Sequence, residues 1–333
     1  MTNNSTDSNQ DNFFMERLKY FPVGLFGSVL GFTGLTVAVM NASRILDITP
    51  TIAYVLTFIT TLIMVTVAVI YALKAIKHFQ SVINEFNHPV AMNFFPALTI
   101  SLMLLSVLYL PINNTLATSL FYVGATGHII LTFYIMQTWL MHDKWKIQQM
   151  TPAWFIPIVG NIVAPIAGVN FIPLELNWYF FSVGLIFWLI LQVIVMYRLF
   201  FHPPMMKILE PTLFILIAPP AIGFISYLAL HPNQPIDDFA RILYYTGLFF
   251  TLLLATQVVR LSKIPFALSW WAYTFPLSAI ASASFIMYER LRIEAFQVIG
   301  LLVLSVLSAL VVHLLFKTIK VIKNKKLCVP PAH

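Results

Sequence analysis

The side chains in this chain's long apolar segments that could meet a solute are small and uncharged. Ser28, Thr33 and Thr36 lie in one segment, Thr99 and Ser101 in another, Asn161 and Ser226 in two more. A fifth carries Ser269, Thr274, Ser278, Ser282 and Ser284. No phosphate loop, carboxylate pair or nucleophile–base arrangement accompanies them, so no enzymatic role is expected. Hydroxyl donors without a fixed positive charge stabilise an anion only modestly, which suits passage over storage. Taken singly, such hydroxyls bond back to their own helix carbonyls or join helix interfaces. Together with the prolines around them they predict a narrow, weakly polar lining.

Those prolines show which elements hold the hydroxyls. Ten apolar segments run over residues 22–40, 52–73, 94–110, 116–140, 152–168, 177–200, 211–230, 238–259, 264–288 and 293–318. Prolines fall only in the odd-numbered ones: Pro22, then Pro96, then Pro152, Pro157 and Pro165, then Pro211, Pro219 and Pro220, then Pro265 and Pro276. Proline deletes a backbone donor and bends a helix. In hydrocarbon, broken backbone belongs inside the protein or beside a water-filled cavity. The fold class expected is therefore all-α and integral to a membrane. Ten transmembrane helices form five hairpins around a central pore, with Pro-bent odd helices inside and straight even helices outside.

Composition and charge agree. Mean hydropathy is +0.86, and 9% of residues are charged, against about 25% in a soluble domain. Fifteen of the nineteen Lys and Arg fall before the first segment, in the loops that follow even segments, or in the tail; Arg44, Arg241, Arg290 and Arg292 fall on the other side. By the positive-inside rule both termini are cytoplasmic, in an inner or plasma membrane. The division expected is a polar cytoplasmic N-terminal segment at 1–20, a membrane domain at 21–318 and a basic cytoplasmic tail at 319–333. Residues 1–15 are polar and read as disordered. The net charge of +7 is mostly this topological signal, so no nucleic-acid partner is expected. The connection 74–93 has room for an interfacial helical turn.

His128 and His313 are the histidines within even segments. A haem ligand is conceivable, but a hydrogen-bonded structural histidine is the plainer reading, and no cofactor or metal is expected. Gln137, Gln192 and Gln257 read as interhelical hydrogen-bond partners. Cys328 is the single cysteine, so no intrachain disulfide forms. Phe275, just before Pro276 in the hydroxyl-rich ninth segment, would by itself be read as core packing.

Several stretches resemble the tellurite-resistance/C4-dicarboxylate transporter family, which includes TehA and the slow-type anion channels of plant guard cells. They are Phe21-Pro22-Val23-Gly24-Leu25-Phe26-Gly27, His88-Pro89-Val90 with Asn93-Phe94-Phe95, Pro211-Thr212-Leu213-Phe214 with Ala218-Pro219-Pro220, and Trp270-Trp271-Ala272-Tyr273-Thr274-Phe275-Pro276. The resemblance implies a homotrimer of separately conducting subunits. It also implies that Phe275, at the family's ninth-helix phenylalanine, occludes the pore. The residues expected to line or shape the path are Pro22, Ser28, Pro96, Thr99, Pro157, Asn161, Pro165, Pro219, Pro220, Thr274, Pro276, Ser278 and Ser282. The function expected is a passive channel for chloride, nitrate and similar small anions. The alternative is a secondary carrier of oxyanions such as sulfite or tellurite, or of C4-dicarboxylates, with proton coupling open. Plant members carry long regulatory termini; the short ones here argue against kinase control.

Overall fold

The computed structural model describes residues 16–329; the remaining residues, including the segment 1–15 expected to be disordered, lie outside it. Among the described residues every regular element is helical. Ten elements follow one another: α1 (Val23–Ile45), α2 (Thr51–Lys77), α3 (Ala91–Tyr109), α4 (Asn114–Met141), α5 (Pro152–Gly168), α6 (Leu174–Phe201), α7 (Lys207–Leu230), α8 (Asp238–Ala255), α9 (Thr274–Leu291) and α10 (Glu294–Lys323). Eight of the described helices, all but α5 and α9, are long and apolar enough to cross a membrane.

Burial follows proline. In α1, α3 and α7, between 72% and 78% of the apolar stretch is buried, against 22% to 33% in α2, α4, α6, α8 and α10. The elements α5 and α9 are buried along most of their length. The proline-free helices turn large apolar side chains outward, among them Phe58, Val193, Val312 and Phe316. An apolar exterior over polar-containing inner helices inverts the soluble pattern and matches a hydrocarbon surround. Inner element packs on inner element in a closed ring: α1 on α3, α3 on α5, α5 on α7, α7 on α9, and α9 back on α1. Each also lies along the proline-free helix that follows it in sequence.

The prolines act differently from simple bends. Each inner element begins as 3-10 helix or, for α9, directly follows a 3-10 stretch, and most prolines sit at or near the conversion to α-helix. The 3-10 stretches are Val23–Leu25, Ala91–Phe94, Pro152–Trp154 with Gly160–Val163, Lys207–Ile217, and Leu268–Tyr273. Pro96 opens the α-helical part of α3, Pro165 and Pro219 stand in the first two positions of theirs, and Pro276 is third in α9. There the missing N–H is one that has no intrahelical acceptor anyway. The outer helices are continuous α-helix. Since 3-10 helix rises about 2.0 Å per residue against 1.5 Å for α-helix, the short α5 reaches further than its length suggests.

Element ends depart from the apolar segments for local reasons. The last helix runs to Lys323 rather than 318 because lysines are good helix formers. Helix α8 stops at Ala255 rather than 259; the Thr256 hydroxyl bonds the Leu253 carbonyl there, and a separate turn, Val258–Leu261, follows. Residues 264–267 are not helical, because Pro265 has no N–H to contribute. The connection between α2 and α3 contains a short helix, Phe79–Phe86.

That short helix is tied down by one carboxylate. Glu85 accepts hydrogen bonds from Lys74 Nζ (2.7 Å), the Tyr71 hydroxyl and the Val23 backbone N–H (3.2 Å), while Lys74 Nζ also donates to the Phe21 carbonyl (2.7 Å). Lys74 is 1% exposed. Phe86 stacks on Phe95 with ring centroids 3.7 Å apart, at the start of α3. Glu85→Ala leaves a buried ammonium without its counter-charge, which costs about 3 kcal/mol. Thermal unfolding in detergent is expected at a clearly lower temperature for this variant. The double variant Lys74→Met/Glu85→Leu should recover most of the loss, because no charge is then stranded.

Candidate functional site

Two cavities lie inside the ring, and all five inner elements line each of them. The first, about 60 Å³, is walled by the N-terminal halves, including Gly27 and Leu30 of α1, Ala97 and Ile100 of α3, Phe155, Val159 and Gly160 of α5, Ile215, Pro219 and Ile222 of α7, and Trp271, Ala272, Phe275 and Pro276. It adjoins the end of the molecule with the Lys/Arg-rich loops. The second, about 340 Å³, is walled by the C-terminal halves, including Gly34, Val37 and Asn41, Leu104 and Val107, Ile166, Ile225 and Leu228, and Ser278, Ser282 and Ile286. No residue of an outer helix lines either cavity. The two residues common to both walls are Phe275 and Ile222.

The position of Phe275 follows from the chain around it. The 3-10 stretch before it ends at Tyr273, and the Thr274 hydroxyl donates to the Trp271 carbonyl (2.7 Å) across the conversion. The Ser278 hydroxyl in turn donates to the carbonyl of Phe275 itself (2.7 Å). Helix α1 approaches at two glycines. A Cβ on Gly31 would stand 2.1 Å from Thr274 Oγ1; one on Gly34 would stand 2.2 Å from Ser278 Oγ and 3.2 Å from Phe275 Cδ2. Only hydrogen fits at either place, so the backbones of α1 and α9 meet and the Phe275 ring rests on Gly34.

Charge is confined to one mouth. The first cavity has no ionisable side chain in its wall. The second opens past Arg44, Glu289 and Arg290. Arg44 and Arg290, expected on the side away from the Lys/Arg-rich loops, belong to the last turns of α1 and α9, and Glu289 precedes Arg290 on α9. Arg290 Nη2 donates to the Pro232 carbonyl (2.7 Å).

Of the residues expected along the path, Phe275, Pro219, Pro276, Ser278 and Ser282 stand in the cavity walls. Pro22, Ser28, Pro96, Thr99, Pro157, Asn161, Pro165, Pro220 and Thr274 stand behind them. Most of the polar ones close carbonyls three residues back: Ser28 to Leu25 O (2.7 Å), Thr99 to Pro96 O (2.8 Å) and Asn161 to Ile158 O (2.8 Å), as Thr274 does to Trp271 O. Pro157 O accepts from the Thr132 hydroxyl of α4 (2.7 Å). The glutamines are more local than expected: Gln192 accepts from Trp188 one turn away, and Gln257 donates to Thr256. His313 lies against Trp270, ring centroids 6.3 Å apart. His128 is wholly buried and bonded to Thr99 Oγ1 through Nδ1 (2.9 Å).

Ile222 had no sequence signal of its own, being one isoleucine among many in apolar spans. Its position two residues past Pro219-Pro220, in the first α-helical turns of α7, is the one cue that would have raised it.

Comparison with known proteins bears on this geometry. The SLAC1 family profile, described as voltage-dependent anion channel, matches residues 20–319. The chain is 27% identical over 305 residues to the uncharacterized transporter MJ0762 of Methanocaldococcus jannaschii, covering 85% of this chain and 89% of that protein. It is 30% identical over 305 residues to the S-type anion channel SLAH3 of Arabidopsis thaliana, covering 90% of this chain and 48% of that protein. The tellurite resistance protein TehA homolog of Haemophilus influenzae is 23% identical over 300 residues, covering 87% of this chain and 88% of that one. The chain thus spans only about half the length of the plant channel and nearly all of the archaeal and bacterial proteins. With 300 consecutive residues matched, this chain belongs to the SLAC1 family of membrane anion-transport proteins.

Proposed function

We propose that the chain is a passive channel for small anions such as chloride and nitrate, with its path closed at Phe275 and Ile222. The carrying observation is the pair of cavities, walled by the same five inner elements, whose shared residues are those two. In this reading the protomer crosses the membrane ten times over residues 21–318, with α5 and α9 crossing as buried inner elements. Both termini are cytoplasmic, as the partition of Lys and Arg favours. Three protomers associate in the inner or plasma membrane, each conducting separately, as the resemblance to TehA implies. The first cavity then faces the cytoplasm and the second the outside.

The chemistry follows from the walls. A carrier that couples to another ion holds an ionisable group in its path, and the walls of the first cavity have none. Without a fixed charge at the narrowest point, selection rests on the cost of stripping water, so nitrate and chloride pass more readily than sulfate. The outer mouth, with Arg44 and Arg290 against one Glu289, raises the local anion concentration without creating a deep binding site. A phenyl ring in an apolar neck blocks passage both by bulk and by expelling water.

Voltage-clamp recording of the reconstituted protein tests the proposal. Phe275→Ala should increase nitrate and chloride current about tenfold, the effect of lowering a barrier by about 1.4 kcal/mol, with reversal at the anion Nernst potential. Absence of current in both proteins, with uptake driven by a pH gradient, would instead establish the carrier of oxyanions or dicarboxylates. In the Phe275→Ala protein, sulfate current should be well below nitrate current; equal or larger sulfate current would overturn selection by dehydration. Gly34→Ala should lower the residual wild-type current, since its methyl group pushes the ring away from α1 and across the path. The same substitution should have a much smaller effect in the Phe275→Ala background, and Gly31→Ala, which meets Thr274 and Trp271 instead, separates ring displacement from loss of helix packing.

A further inference from the structure

A titratable group that the channel reading leaves unused lies directly behind the pore wall. His128 belongs to an outer helix, yet its side chain points inward between α3 and α5 and is 0% exposed. Its Nδ1 is 2.9 Å from Thr99 Oγ1. The Thr99 hydroxyl proton is committed to the Pro96 carbonyl (2.8 Å), so Thr99 Oγ1 accepts and His128 Nδ1 carries the hydrogen. In the neutral ring Nε2 is then a bare lone pair, and it has no hydrogen-bond partner. Such a buried acceptor is costly unless something uses it.

What stands between that lone pair and the cavity is a single glycine. A Cβ placed on Gly160 would stand 2.6 Å from His128 Cε1, 2.8 Å from Nε2 and 2.7 Å from Ile100 Cδ1. Gly160 and Ile100 both line the first cavity. The wall between ring and cavity is therefore a glycine, where any side chain would push the imidazole away. Neighbouring elements bring only neutral groups to the ring: Thr99 and Ile100 from α3, and Gly160 from α5. The nearby Asn161 amide donates to Thr132 Oγ1 and Ile158 O instead. No charged or other titratable side chain acts on His128 from any of these elements.

We propose that His128 Nε2 is a proton-binding site behind the pore wall, and that its protonated form holds a small inorganic anion in the cavity beside Gly160. The proposal rests on reading that cavity as the anion path. The proton comes from the aqueous side of the cavity and adds to the Nε2 lone pair. Nδ1–H keeps its bond to Thr99, and the new N–H faces Gly160. A wall of low polarizability disfavours an imidazolium standing alone but strengthens its attraction to an anion, so the charged ring forms together with the anion beside it. By linkage, each ligand then promotes binding of the other. The inner path thus gains a positive charge only when a proton is present. Acidification therefore favours anion entry, and anion supply favours proton uptake.

The test uses the full chain carrying Phe275→Ala, reconstituted in liposomes, with nitrate current recorded between about pH 4 and pH 8, a range carried below that of a free histidine because burial opposes the charged ring. The expected result is a rise of about fivefold or more on acidification, the lower end of coupling between two sites. His128→Gln, which can still bond Thr99, should flatten it. His88→Gln is the control: His88 Nδ1 accepts from the Val90 and Ala91 N–H groups at the start of α3, and burial holds its pKa below the ordinary value against the pull of Glu85. That variant should keep the slope. Equal pH profiles with and without His128 overturn the proposal while leaving the channel reading intact. Where no current is seen at all, the channel reading fails, and nitrogen-15 resonances of the His128 ring decide the proton site alone. Nitrate should make Nε2 protonate at higher pH, and a titration indifferent to nitrate refutes the site. Should His128→Gln not fold, Thr99→Val, which removes the Nδ1 acceptor, is expected to weaken the pH response; an unchanged response would count against the assigned tautomer and the site.

Discussion

A backbone amide or carbonyl in hydrocarbon has no water to fall back on, and this requirement organises the molecule. Prolines withdraw donors from all five inner elements. The chain answers by winding the affected stretches as 3-10 helix and by closing carbonyls with side chains three residues ahead. Ser28, Thr99, Asn161, Thr212, Thr274 and Ser278 all make that bond, at 2.6–2.8 Å. The long 3-10 run Lys207–Ile217, well beyond the usual three or four residues, shows how far the solution extends. Most of these hydroxyls are consequently spent on the protein's own backbone, and the first cavity keeps an apolar wall.

The proposed closure depends on the same device. Because α9 changes from 3-10 to α-helix at Thr274, the ring of Phe275 leaves the helix where Gly31 and Gly34 let α1 come closest. The ring therefore stands at a place fixed by backbone on both sides. Beyond it the wall acquires Ser278 and Ser282 and, at the rim, the charges of Arg44, Glu289 and Arg290. A dry half and a wetter half meet at one aromatic side chain.

Proline and charge made much of this readable from the chain alone. Proline placement separates segments whose burial differs about threefold, because a missing backbone donor leaves a mark at the level of residue identity. The choice between 3-10 and α-helix leaves no such mark, since both give the same apolar pattern over short stretches. Which hydroxyls face the cavity was equally hidden: Thr99 and Ser278 look alike in sequence, and helix rotation decides that one sits behind the wall and the other in it. The meeting of His128 with Gly160 depends on the register between α4 and α5, which no spacing within either segment reveals. Helix ends were misjudged where Arg44, Glu289, Arg290 and Lys323 prolong a helix past its apolar stretch, because charged residues can be good helix formers.

The closed ring of inner helices has a mechanical consequence. With α1, α3, α5, α7 and α9 each wedged between two neighbours, the proposed closure at Phe275 and Ile222 would open by side-chain movement, without a helix tilting outward. The cross-section that the protein occupies in the plane of the bilayer is then the same before and after. Lateral tension does work only on a change of area, so stretching or thinning the bilayer has little to act on. Under that proposal the surrounding lipid serves as solvent for the outer helices and supplies little leverage on opening.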